Sequence, residues 1–161
     1  MSTLQNQKEI INNETMATAN LYEEDYLLWL ETTANFLKEK NFAQLDLINL
    51  IEEIEALGRE ERRKLEIYLR QLLKHLLFYQ YWIVPDCKHH WATEIANFRL
   101  ELKKLIKSKT LYNYLIQVMD EVYSEALILA KKKSELKSFP EKCPYTIEQI
   151  LDIDYYPEIE S

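Results

Sequence analysis

Glycine is almost missing from this chain: Gly58 is the only one in 161 residues. Hairpins, sandwiches and phosphate loops consume glycine, because it alone accepts positive φ without steric cost. Neither a dinucleotide-binding fingerprint nor a Walker A loop can be written with one glycine. Cysteine is nearly as scarce. Cys87 and Cys143 lie far apart and form neither a Cys-x-x-Cys pair nor a zinc ribbon. No disulfide framework is expected, which suits a reducing cytoplasm. Long apolar runs are missing too. Leu76 to Val84 is the most apolar stretch, and Gln80 interrupts it. It is far too short to span a bilayer. No basic region followed by an apolar one marks a secretion signal, so Asn13-Glu14-Thr15 carries no weight as a glycosylation sequon. A membrane is not an expected partner.

What remains is 47% apolar and 29% charged, the composition of a globular chain. The formal net charge is −7. Acidic proteins are repelled by nucleic acid unless their basic residues are segregated. Two basic runs exist: Arg99 to Lys109, with Arg99, Lys103, Lys104, Lys107 and Lys109, and Lys131 to Lys133. Both read as solvated outer faces of helices, and nucleic acid is not expected as a partner.

Periodicity supplies the rest. Residues 1–20 read as a loose polar leader, with Met16 an alternative start, and residues 21–157 as one helical domain. A first helix is expected from Tyr22 to about Lys40, with Tyr26, Trp29, Leu30, Thr33, Phe36 and Leu37 facing a core. Asn41 with Gln44 is placed to cap a second helix, whose buried stripe would be Leu47, Leu50, Ile51, Ile54 and Leu57. Gly58 would end it at the first position beyond the cap. A longer, central helix carries Leu65, Leu69, Leu72, Leu76, Tyr79 and Ile83, widened by Leu73 and Leu77, and Pro85 would end it. Trp91, Ile95, Phe98, Leu102 and Leu105 mark the next. Thr110 is placed to cap the last long helix, which faces the core with Tyr112, Leu115, Met119, Val122, Ala126 and Leu129. After two stiff Pro-containing links, Thr146 and Gln149 spell a capping box for a short helix through Leu151. The expected fold is all-α: an antiparallel bundle of about five long helices, plus a short C-terminal helix and an irregular tail.

Two stretches are distinctive. One runs from Asp46-Leu47-Ile48-Asn49-Leu50-Ile51-Glu52-Glu53-Ile54-Glu55-Ala56-Leu57-Gly58-Arg59 to Leu72-Leu73-Lys74-His75-Leu76-Leu77. The other runs from Phe139-Pro140 to Cys143-Pro144-Tyr145-Thr146-Ile147-Glu148-Gln149-Ile150-Leu151-Asp152. With the opening Leu21-Tyr22-Glu23-Glu24-Asp25-Tyr26, they resemble the bacterial proteins grouped as domain of unknown function 29. The resemblance implies an all-helical fold and brings no activity. His89-His90-Trp91 departs from the family pattern, which usually has serine before that tryptophan.

Chemistry-bearing residues are few. Helical bundles hold metals with inward glutamates and histidines, which makes Glu52, Glu55 and His75 the metal-site candidates. On a helical wheel Glu52 falls toward solvent, Glu53 at one margin of the apolar stripe, and Glu55 inside the other margin, where burial is expected. The Glu-x-x-His pair of di-iron bundles is absent, so the plainer reading is an arginine partner for Glu55 and a backbone or tyrosine partner for His75. Cys87, His89, His90 and Glu94 match no zinc module. No metal and no cofactor is expected. The leading functional expectation is a non-enzymatic helical module that binds another protein. The alternative is a metal-assisted hydrolase using Glu55 and His75, with Glu52 or Glu53 as a further group.

Overall fold

The computed structural model describes residues 21–84 and 86–159. The leader and its Met16 lie outside them, as does Pro85. Residues 21–24 are helical. Then come α1 (Tyr26–Lys38), a 3-10 turn (Phe42–Gln44), α2 (Leu47–Tyr81), α3 (Lys88–Leu105), α4 (Lys109–Ser134) and α5 (Ile147–Leu151). No strand occurs among the described residues. The fold is an all-α helical bundle with four long helices where five were expected.

The missing boundary is at Gly58. The expected second and third helices are one helix, α2, which runs through the glycine without interruption for 35 residues. Nor does α2 begin at an Asn41 cap. Asn41 precedes the 3-10 turn and makes no side-chain cap bond. Asp46 starts the helix instead, accepting from the Asn49 amide and, at 2.6 Å, from its side chain. The positive-φ positions that glycine would favour are taken by Lys40, Asp86 and Glu135, the last closing α4. The one glycine therefore sits where no positive φ is needed. In a helix interior it costs about 1 kcal/mol relative to alanine. Gly58→Ala is expected to raise stability by about that amount in urea unfolding, and a loss would reveal close packing against its Cα.

The polypeptide divides at Gly58 into two compact units. The second, Arg59–Ser161, is a conventional core. From α2 it takes Leu65, Leu69, Leu72, Leu73, Leu76 and Leu77, all fully buried. Trp91, Ile95 and Leu102 of α3 meet them, with Leu115, Val122, Tyr123 and Ala126 of α4. Ser108, rather than Thr110, caps α4 by accepting from the Leu111 amide. Tyr112 and Leu129, expected to face the core, are exposed, as is Ile83 beyond α2.

The tail closes this core. Phe139, Tyr145 and Ile150 are buried in it. The Tyr123 hydroxyl donates to Pro140 O at 2.6 Å, and Tyr145 donates to Gln80 Oε1 at 2.8 Å. The capping box of α5 forms as expected: Thr146 accepts from the Gln149 amide, and the Gln149 side chain accepts from the Thr146 amide. Arg99 corrects the reading of its basic run. It is completely buried and donates to Gln149 O, Ile150 O and Tyr155 O at 3.0, 2.8 and 2.7 Å.

Candidate functional site

The first unit is a helical hairpin held by aromatic residues. Trp29 is fully buried, with Tyr22 edge-on at 5.0 Å and Tyr26 stacked at 5.9 Å. Both tyrosine hydroxyls donate to Glu53, at 2.6 and 2.8 Å. These bonds hold the Glu53 carboxyl below its usual range and push Tyr22 up to about 12. Tyr22 precedes α1 and Tyr26 begins it, at the far end from the 3-10 turn, so their bonds to Glu53 fit an antiparallel pairing of α1 and α2.

This clip sets which face of each helix turns inward. In the first turns of α2 the half-buried positions are Asn49, Leu50, Glu53 and Ala56. At 100° per residue, Leu47, Ile51, Ile54 and Leu57 are centred about 120° away from them. The expected buried stripe is consequently the exposed one. Leu47 and Ile51 are each 54% exposed, Ile54 60%, Leu57 68% and the neighbouring Ile48 82%. Leu50 is half-buried. Glu55, expected inside the core margin, is exposed with them.

On α1 the inward residues are Trp29 and Thr33. Tyr26, Leu30 and Leu37, expected to join them, are exposed, as are Leu27 and Phe42. Leu27, Leu30 and Leu37 are centred roughly 90° from Trp29 and Thr33. The two rotations have the same sense on antiparallel helices, which places both stripes on one side of the hairpin. Together these seven side chains expose roughly 700 Å², above the ~300–600 Å² usual for the largest patch of a monomer.

The same hairpin concentrates the charge. Residues 21–58 hold two lysines, Lys38 and Lys40, against nine acids. Residues 59–161 hold 17 basic and 16 acidic residues, close to neutral. The whole negative excess of the chain thus lies in its N-terminal part. Counting charge by segment rather than by basic run exposes this in the sequence.

The metal-site candidates are not brought together. Glu52 and Glu55 are exposed on the first turns of α2, and His75 lies 20 residues further along the same helix. No group of three or more metal-ligating side chains occurs among the described residues.

His75 instead has a local partner. Its Nδ1 is 2.7 Å from Gln71 O. A carbonyl only accepts, so Nδ1 carries the proton and Nε2 is left as the acceptor. Phe78 and Phe98 flank the ring, and burial lowers its pKa. The proton is disfavoured in the folded state, so this contribution to stability is present above pH ~6.5 and is lost as pH falls below it. His75→Phe is expected to flatten the fall in urea midpoint between pH 7.5 and 5.5; an unchanged slope would assign it elsewhere.

Around His75 is a shallow cleft of about 520 Å³, with Phe78, Trp82 and Trp91 along it and Lys74, Lys132, Lys133 and His90 at its edge. Cys87 and His89 do not line it. Glu94 acts electrostatically on both Lys74 and His75. No helix among the described residues is long and apolar enough to cross a membrane.

No curated protein and no solved structure matches this chain. The family described as Domain of unknown function DUF29 matches residues 21–156, which take in the clip, the exposed stripes, the cleft and the tail, and the chain belongs to that family.

Proposed function

We propose that this protein is a non-enzymatic module that docks another protein through the apolar side of its N-terminal hairpin. One observation carries the reading: the most periodic apolar residues of that hairpin, Leu47, Ile51, Ile54 and Leu57, are exposed while Asn49, Glu53 and Ala56 turn inward. Burying those four leucine and isoleucine side chains is worth about 1.5–3 kcal/mol each. A surface of this size that leaves the gain unrealised is the signature of an interface. The tail, by contrast, spends its aromatics on closing the core.

The metal-assisted hydrolase requires Glu55 and His75 around one ion, a geometry for which α2 offers no support. A cytoplasmic, bacterial setting fits the family resemblance and the two free cysteines, Cys87 and Cys143. The test compares capture from the native host by the wild-type protein and by a variant carrying Leu47→Gln, Ile51→Gln and Ile54→Gln. A partner retained only by the wild type, and slowing amide exchange in residues 47–57, is expected. Identical capture by both proteins would defeat the reading.

A further inference from the structure

The hairpin face has features that narrow what covers it. Leu47, Ile51 and Ile54 follow an i, i+4, i+7 rhythm on α2, and Leu27, Leu30 and Leu37 form a second ridge on α1. Two antiparallel ridges on one side of a hairpin leave a groove between them. Such a groove accepts one amphipathic helix, read through anchors at that spacing. Its area, roughly 700 Å², is comparable to the ~800 Å² per partner of a stable interface.

The rim supplies the second constraint. Glu55 flanks the α2 ridge and Glu31 the α1 ridge, both exposed. Whatever neighbours these carboxylates already engage, nine acids against two lysines leave residues 21–58 strongly negative. A second copy would bring an identical rim against this one. Like-charge juxtaposition across an interface is costly and suppresses the wrong partner, whereas opposite charge steers the right one.

Resting on the docking reading above, we infer that the face binds a separate chain, through an amphipathic helix whose apolar stripe is flanked by lysine or arginine, and not a second copy of this protein. The leucines and isoleucines of the hairpin supply the buried centre. The acidic rim selects the partner and speeds its encounter.

The test uses the full chain and two synthetic helical peptides of about three heptads. Both carry the same leucine stripe, flanked by lysine in one and by glutamate in the other. Binding is followed by fluorescence anisotropy, and self-association by analytical ultracentrifugation. The lysine peptide is expected to bind at least ~10-fold more tightly than the glutamate peptide, and to weaken several-fold as salt rises from ~0.05 to ~0.5 M. The Leu47→Gln, Ile51→Gln, Ile54→Gln variant should retain its helical circular dichroism and lose at least ~10-fold in affinity.

A dimer of the wild-type chain at micromolar concentration, abolished by those substitutions, would overturn the inference in favour of a second copy. Equal affinity for the two peptides would overturn the charge argument and leave the docking reading standing. Lysine-peptide binding that ignores the substitutions would place the contact away from the face. Binding of neither peptide would overturn the inference, and the capture experiment would then judge the docking reading by itself.

Discussion

Replacing Arg99 by methionine is expected to lower the unfolding free energy by roughly 3–5 kcal/mol and to release the C-terminal tail. The side chain is fully buried and donates to three backbone carbonyls. Two of these, Gln149 O and Ile150 O, belong to the last turn of α5. Carbonyls there have no partner within their own helix. The third, Tyr155 O, lies beyond the helix, so one guanidinium ties the short helix to the chain that follows it. The guanidinium also sits over the Tyr156 ring, 5.5 Å from its centroid. Burial lowers the Arg99 pKa, but from a starting value high enough to keep the group charged.

Methionine fills a similar volume and offers no donor, leaving these tail carbonyls without their charged partner. Arg99→Lys keeps a charge but presents a compact ammonium in place of a planar fork, and should recover only part of the loss. Urea unfolding reads the stability, and amide exchange over residues 139–157 reads the release. A methionine variant within about 1 kcal/mol of wild type, with the tail still protected, would show that apolar burial of Phe139, Tyr145 and Ile150 suffices.

Two leucines on the same helix should behave in opposite ways. Leu69→Ala is expected to cost about 2–5 kcal/mol, because its side chain is fully buried among leucines and leaves a cavity behind. Leu57→Ala, only twelve positions earlier, should change stability by no more than about 0.5 kcal/mol in the isolated protein. Leu57 is 68% exposed, so its transfer from water is largely unrealised in the folded state. Alanine is also the better helix former. Equilibrium unfolding of the two variants at dilute protein concentration makes the comparison. A large loss at Leu57 would mean that something already covers the hairpin face, and concentration dependence of that loss would point to a second copy. In complex with its partner, the Leu57 variant should instead lose affinity.

The contrast between Leu57 and Leu69 also shows what periodicity conveys. Both lie on regular apolar stripes, and from the residues alone both belong to a buried face. A hydrophobic period identifies the side of a helix that is best removed from water. It does not say whether the covering surface comes from the same chain. In α2 from Arg59 onward it comes from α3 and α4. In the first turns of α2 the aromatic clip of Tyr22, Tyr26 and Trp29 takes a different side, and the apolar one is left outside.

Arg99 was hidden for a related reason. Among lysines at Lys103, Lys104 and Lys107, an arginine reads as one more solvated charge. Its burial depends on carbonyls some 50 residues away, which no local pattern announces. The fate of Gly58 depends on its flanks. Glycine is a good helix terminator, but continuous helix-forming sequence on both sides carries α2 through it, at the modest cost of an unfavourable propensity.

By itself the sequence determined what is local. One glycine and sustained 3.6-residue periodicity allowed only helices. Thr146 and Gln149 specified the start of α5, since the bonds of a capping box connect residues three apart. Leu65, Leu69, Leu72, Leu73, Leu76 and Leu77 formed a stripe broad enough to be buried by any arrangement of neighbouring helices. The tertiary structure alone decided which polar groups meet across long separations: Tyr22 and Tyr26 with Glu53, and Arg99 with the tail. It also turned Leu47, Ile51, Ile54 and Leu57 outward. Burial depends on what stands opposite a side chain, and that is a property of the packed fold.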